Sequence, residues 1–367
     1  MKVTRTGQLA GLALVSALAL SACGSGDNTN STAPQSSSST STGSADCATG
    51  SLSAQGSTFQ ANAELQWAKD YAAKCSGATV AYEGTGSGAG KTAFGNGTAD
   101  FGGTDSLLKP EEQTAADKRC GTGNKGIVTP IVAGAVVLTY NLDGVDKLTL
   151  DATTVAKIFA GTITKWNDDA IKALNDGVTL PDEAIATVHR NDKSGTTKIF
   201  SSWLDANDKT DWTIGADETL TWPGGQSAKG SDGVTGVVAQ TKGGITYTEL
   251  SFAKAQSLKV ADIKNAAGTV VTPNGDSVSS ALKTATVATD GGLTVKPDYA
   301  TTTTDAYPLA APSYVLTCDK GNKSAALLKG YLTYALTDGT AALDNLGYAP
   351  LPDTIATQAK AQVAGLS

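Results

Sequence analysis

Residues 51–105 read SLSAQGSTFQ ANAELQWAKD YAAKCSGATV AYEGTGSGAG KTAFGNGTAD FGGTD, and this stretch decides the fold class. A strand is predicted over residues 51–54, and Gly56-Ser57-Thr58 turns it into a helix carrying Phe59, Ala63, Leu65, Trp67 and Tyr71. A second strand, 78–82, enters the Gly-rich run 84–90 and another helix, and a third strand covers 99–102. That alternation predicts an α/β domain with a largely parallel sheet. Further along, an apolar run at 127–140 leaves this unit. Helices are expected at 152–160, 168–174, 196–204, 232–240, 324–336 and 355–363, with strands at 186–189 and 244–247. The layout reads as two α/β halves joined by more than one crossing, and a cleft between two domains favours small-ligand sites.

Before residue 51 the chain is of another kind. Lys2 and Arg5 precede an apolar run from Leu9 to Leu20, followed by Leu20-Ser21-Ala22-Cys23. This is the pattern of a secretory signal peptide over residues 1–22. The cysteine placed directly after it resembles a bacterial lipobox, in which Cys23 takes a lipid and becomes the mature N-terminus. Residues 23–46 are almost all small and polar, a composition that cannot bury a core and reads as a flexible linker or a glycosylated stalk. The formal charge of −7 becomes −9 once Lys2 and Arg5 are removed. With no basic stripe, nucleic acid is excluded as a partner. An anion ligand remains compatible if it is held by short-range backbone N–H groups.

Four cysteines follow Cys23, an even number that predicts two disulfides in an exported chain. A helix after a parallel strand returns to that strand's start, so Cys75 should pair with Cys47, leaving Cys120 for Cys318. The only histidine is His189, too little for a zinc site or a hydrolase triad. No metal, cofactor or catalytic residue is expected.

Three segments share one form, a strand end, a small-residue turn with hydroxyls, then a helix start. They are Gly56-Ser57-Thr58-Phe59, Gly84-Thr85-Gly86-Ser87-Gly88, and Asp192-Lys193-Ser194-Gly195-Thr196. Helix N-termini present unpaired N–H groups and partial positive charge, and several converging on one point make an anion site. Any one of these segments is also explained as a plain N-cap. The run 84–92 departs from the P-loop pattern, with Thr85 where glycine is required, so Lys91 reads as a solvent-facing residue of the first helical turn. Arg190 suits bidentate binding of an oxyanion, with Asp192 holding the guanidinium; the alternative is a surface ion pair of little value. Asp105 reads as the cap of a helix beginning near Leu107, or as a carboxylate inside the anion pocket. In the pocket it accepts a hydrogen bond from a protonated oxyanion and repels an unprotonated one.

On these motifs, together with Asp100-Phe101-Gly102-Gly103-Thr104-Asp105, Ile163-Thr164-Lys165-Trp166-Asn167-Asp168, Gly230-Ser231-Asp232-Gly233 and Gly347-Tyr348-Ala349-Pro350-Leu351-Pro352, the chain resembles the PstS family of bacterial phosphate receptors. The resemblance implies a two-domain, type II periplasmic-binding-protein fold with the ligand in the interdomain cleft. One domain is 47–127 plus 301–367 and the other 128–300. It implies that inorganic phosphate is bound by Thr58, Phe59 (through its backbone), Ser87, Asp105, Arg190, Ser194, Gly195 and Thr196, with Asp192 behind Arg190. Lys193 departs from the family's usual glycine. The partners implied are the permease and ATPase subunits of a phosphate ABC importer, and a membrane reached through the lipid on Cys23. The receptor is expected to be a monomer on the extracytoplasmic face of a Gram-positive cell. Rival readings are a receptor for sulfate, molybdate, arsenate or a phosphonate, a secreted phosphatase, and an adhesin.

Overall fold

The structure, a computed structural model, describes residues 47–367. The expected signal peptide (1–22), the lipid-carrying Cys23 and the linker (23–46) lie outside the described residues. Among the described residues no helix is long and apolar enough to cross a membrane.

The chain begins β1 (Gly50–Gly56), α1 (Ala61–Lys74), β2 (Ala78–Gly84), α2 (Ser87–Gly95), β3 (Phe101–Thr104) and α3 (Pro110–Cys120), then enters the long strand β4 (Gly126–Asn141). The middle part holds β5 (Thr149–Asp151), α4 (Ala152–Phe159), α5 (Asp169–Lys172), β6 (Ala186–Arg190), α6 (Gly195–Asn207), β7 (Gln226–Ala228), α7 (Gly230–Gln240), β8 (Gly244–Glu249) and α8 (Leu250–Ala255). Short pieces follow: β9 (Lys259–Val260), β10 (Asp262–Lys264), β11 (Val270–Val271), α9 (Gly275–Lys283), β12 (Thr286–Ala288) and β13 (Thr294–Lys296). The chain closes with β14 (Ala310–Cys318), α10 (Ala325–Ala335), α11 (Leu343–Leu346), β15 (Tyr348–Ala349) and α12 (Asp353–Ala364).

The main sheet has the order β2-β1-β3-β14-β4-β8-β6-β7. Its two ends are parallel: β1 pairs β2 and β3 that way, and β6 pairs β7 and β8. Its centre is antiparallel, β14 running against β3 and β4, and β4 against β8. The sheet is therefore mixed rather than largely parallel. The cause is β4, a 16-residue strand long enough to serve both ends. Up to Ala135 it pairs with β14, and from Val136 it pairs with β8. The returning strand β14 lies beside it in the opposite direction.

Helix α1 follows helical periodicity, with Ala63, Trp67 and Tyr71 buried on one face. Leu65, also counted among its apolar residues, lies off that face and is 58% exposed. Disulfides join Cys47 to Cys75, where α1 returns to the start of β1, and Cys120 to Cys318, tying the end of α3 to the end of β14.

Candidate functional site

Parallel strands point their C-terminal ends the same way, and the loops leaving those ends are where α/β folds bind ligands. Here the loops after β1, β2 and β3 meet the loops after β6, β7 and β8. The first group carries Thr58, Phe59, Ser87 and Asp105, and the second carries Arg190, Asp192, Ser194, Gly195 and Thr196. The residues singled out from sequence thus come together between the two halves of the sheet.

Arg190 anchors the second group and is buried. Its Nε donates to Asp192 Oδ1 at 2.7 Å and its Nη2 to Asp192 Oδ2 at 2.5 Å, so the pair is bidentate and shielded, not a surface contact. Burial alone depresses the guanidinium, but the bonds and charge of Asp192 outweigh it and hold Arg190 above its ordinary value. Asp192 in turn accepts the Gly230 N–H at 3.1 Å, which fixes the carboxylate behind the arginine. The third nitrogen, Nη1, faces across the cleft. It donates to Thr58 Oγ1 and Ser231 Oγ at 3.1 Å each and to Thr196 Oγ1 at 3.3 Å. Thr58 and Ser231, from opposite halves, are 2.7 Å apart.

Asp105 belongs to the first group and follows β3. The cap reading fails: α3 starts at Pro110, where proline's missing N–H costs nothing, and the Glu112 carboxylate accepts the Lys109 N–H at 2.8 Å. Asp105 instead points inward and accepts hydrogen bonds from Ser57 and Ser313 at 2.5 Å each and from Ser87 at 3.1 Å. Burial pushes its carboxyl up to about 7; the Ser313 and Ser57 hydroxyls pull against this, and the Glu249 charge adds to it. The Gly195 N–H reaches Ser87 Oγ at 3.2 Å. A Cβ at Gly195 would stand 2.5 Å from Ser87 Oγ and 2.6 Å from Asp105 Oδ2, so only glycine lets the start of α6 approach this closely. Ser194 caps α6, accepting the Thr197 N–H at 3.1 Å, and its own N–H donates to the Glu218 carbonyl. The Phe59 N–H donates to Ser57 Oγ at 2.9 Å, and the Tyr348 hydroxyl holds the Phe59 carbonyl at 2.6 Å.

Sequence reasoning missed four participants. Ser57 and Ser231 stood inside quoted motifs without an assigned role. Ser313 and Glu249 gave no signal, one inside an apolar run and the other at the end of a buried strand. Glu249 accepts the Thr196 hydroxyl at 2.5 Å and thereby fixes its direction.

Lys91 overturns its expected place in solvent. It is buried, with Nζ 2.7 Å from Glu218 and 2.9 Å from Glu112. The reason is that carboxylates from two distant segments close over the start of α2. Lys193 pairs with Glu112 and stands 3.5 Å from Glu218. His189 stacks on Trp222 with ring centroids 4.8 Å apart, and its Nδ1 meets the Arg190 carbonyl at 3.2 Å. That is a packing role.

Helix starts, clustered hydroxyls, the Arg190 guanidinium and the Asp105 carboxyl come together between the lobes of a periplasmic-binding fold, an arrangement whose chemistry suits a small oxyanion. A PBP superfamily domain matches residues 34–339. Phosphate-binding protein PstS 3 of Mycobacterium leprae is 38% identical over 361 residues, covering 96% of each chain. PstS of Methanocaldococcus jannaschii is 34% identical over 325 residues, covering 82% of each. Among solved structures, a high-affinity periplasmic phosphate-binding protein (PfluDING) bound with phosphate has a TM-score of 0.68 at 24% identity, covering 85% of this chain and 93% of that one. A phosphate-binding protein from Stenotrophomonas maltophilia gives 0.65 at 21%, with the same coverage. These two likenesses confirm the fold. The chain belongs to the PstS family, whose members are binding receptors and not enzymes.

Proposed function

We propose that this protein captures inorganic phosphate outside the cytoplasm and delivers it to the permease and ATPase subunits of a phosphate ABC importer. The observation that carries the reading is that the Asp105 carboxyl, bonded to Ser57 and Ser87, and Arg190, bonded to Thr58 and Thr196, are both buried among converging helix N-termini. Thr58, Phe59, Ser87, Ser194, Gly195 and Thr196 supply N–H and hydroxyl donors, and Arg190 adds the N–H donors of Nη1. Asp105 accepts a hydrogen bond from the hydroxyl that hydrogenphosphate carries. Sulfate has none at neutral pH and meets the carboxylate with no bond to share, a mismatch of a kind that reaches ~10⁴–10⁵-fold. We assign residues 47–127 with 301–367 to one domain and 128–300 to the other. Closure is then a ligand-driven shift about the crossings at β4 and before β14. Cys23 is assigned as the lipid attachment that holds the monomeric receptor at the extracytoplasmic membrane face, with 23–46 as its tether.

Calorimetry of the soluble body with phosphate and with sulfate, run well above the value of about 7 to which burial pushes the Asp105 carboxyl, tests this. Phosphate should bind and sulfate should not, and Asp105→Asn should narrow the difference. Equal affinity of the unaltered protein for both anions would overturn the reading.

A further inference from the structure

Ser57 and Ser87 lie in the binding loops, but the third hydroxyl on Asp105 arrives from elsewhere. Ser313 sits in β14, a strand that ends in no binding loop, and is fully buried. The register of β14 against β4 shifts at this point: Ser313 faces Val132 and Tyr314 faces Pro130, leaving Ile131 as the extra residue. Such bulges bend a strand and re-aim a side chain, often beside a functional site. Pro130 has no N–H to give the ladder, which makes this the natural place for the irregularity.

Ser313 has one proton and two acceptors within reach. Asp105 Oδ1 is 2.5 Å away and Gln60 Oε1 is 3.3 Å away. The Gln60 amide nitrogen is turned toward the Tyr82 hydroxyl at 3.1 Å, which orients that side chain with its oxygen toward Ser313. Charge and distance both send the proton to the carboxylate. Oδ1 therefore carries two short bonds, from Ser57 and Ser313, while Oδ2 has only Ser87 at 3.1 Å. Glu249, from β8, is the charged group that bears on Asp105 most. The phenols of Tyr82, Tyr299, Tyr314 and Tyr348 also feel its charge.

We propose that Ser313 is a positioning residue for oxyanion selectivity: by saturating Oδ1 of Asp105 it keeps that carboxyl an acceptor and turns Oδ2 toward the binding loops. The inference rests on the phosphate reading above. An ionised Asp105 takes a bond from an oxyanion that carries a proton and repels one that carries none. A protonated Asp105 donates instead and admits the unprotonated anion. Ser313 stabilises the ionised form against the burial that raises this group. Losing its hydroxyl moves the changeover to higher pH.

Phosphate and sulfate affinities of the unaltered protein, Ser313→Ala and Ser313→Thr, measured across a pH series, test this. The sulfate-to-phosphate affinity ratio should rise as pH falls. In Ser313→Ala the midpoint of that rise should move up by about one pH unit, a roughly tenfold higher ratio at fixed pH inside the window. Ser313→Thr, which keeps the hydroxyl, should restore it. Phosphate's own ionisation is common to all three proteins and cancels in the comparison. A packing defect lowers both affinities without moving the midpoint, and that result overturns the proposal. Where Ser313→Ala does not fold, Ser313→Cys asks the same question with a poor donor of similar volume. If the unaltered protein does not discriminate at any pH, the phosphate reading falls and takes this inference with it. If it discriminates and Ser313→Ala keeps the same midpoint, only the role of Ser313 is lost.

Discussion

Replacing Lys91 with methionine probes how the two halves of the site hold together. Lys91, Glu112 and Ser106 come from the β1–β3 side, and Glu218 and Lys193 from the β6–β8 side. The side chains of Lys91 and Glu218 are 1% and 2% exposed, and their 2.7 Å ion pair spans the cleft. Ser106 also donates to Glu218. Removing one partner of a buried pair costs about 3–5 kcal/mol. Here Glu218 keeps Ser106, and Lys193, 3.5 Å away and 40% exposed, supplies partial compensation. That lowers the expected loss to about 1.5–3 kcal/mol, or roughly 10–150-fold in affinity. The contact exists only when the halves meet, so the loss should fall on the rate at which phosphate leaves and not on the rate at which it arrives. Stopped-flow displacement of bound phosphate reads this directly. Adding Glu218→Gln to Lys91→Met should recover part of the loss, because it removes the charge left uncompensated. A dissociation rate within about twofold of the unaltered protein, in a variant that melts normally, would refute the reasoning.

Two further outcomes follow from single residues. Glu64 is buried in α1, accepts the Tyr331 hydroxyl at 2.6 Å, and has no partner for Oε1 among the described residues; burial, opposed by that hydroxyl, pushes its carboxyl up to about 8. The folded state therefore holds a proton that the unfolded state releases above about 4.5, so stability falls as pH rises through that window, and Glu64→Gln should raise the melting temperature at pH 8 more than at pH 5. An equal change at both would show that the carboxyl does not titrate there. Gly195→Ala should weaken phosphate binding by roughly 5–150-fold, on the scale of about 1–3 kcal/mol for overpacking, because its methyl meets Ser87 and Asp105. Calorimetry beside a melting curve separates lost binding from lost folding.

What the sequence disclosed was what is local. The β1–α1–β2–α2–β3 alternation is set by neighbouring residues, and its turns carry their own hydroxyls and glycines. Arg190 and Asp192 are two residues apart, so their pairing is legible without a fold. Lys91 is the opposite case. Its partner Glu218 is 127 residues away, and nothing around position 91 announces two carboxylates. Ser313 meets Asp105 across 208 residues of chain, and only the sheet order β3-β14-β4 makes them neighbours. The apolar run at β4 is visible, but an apolar run has no direction. That is why a mixed sheet was read as parallel.

The charge of the chain then takes on a different meaning. A net charge of −7 does not favour holding an anion, and the basic groups near the site do little to change that. Arg190 is already matched by Asp192, Lys91 by Glu218, and Lys193 by Glu112. Attraction must then come from oriented N–H groups and hydroxyls, which act over one or two bond lengths. At physiological salt the overall charge is screened beyond about 8 Å, so it has little reach into a closed cleft. Asp105 and Glu249 add negative charge to the site itself. That makes no sense for attraction and good sense for selection. A site neutralised by its own ion pairs binds an oxyanion only when every donor and acceptor is matched, and Asp105 Oδ2, held only by Ser87 at 3.1 Å, keeps a lone pair for a ligand that brings a proton.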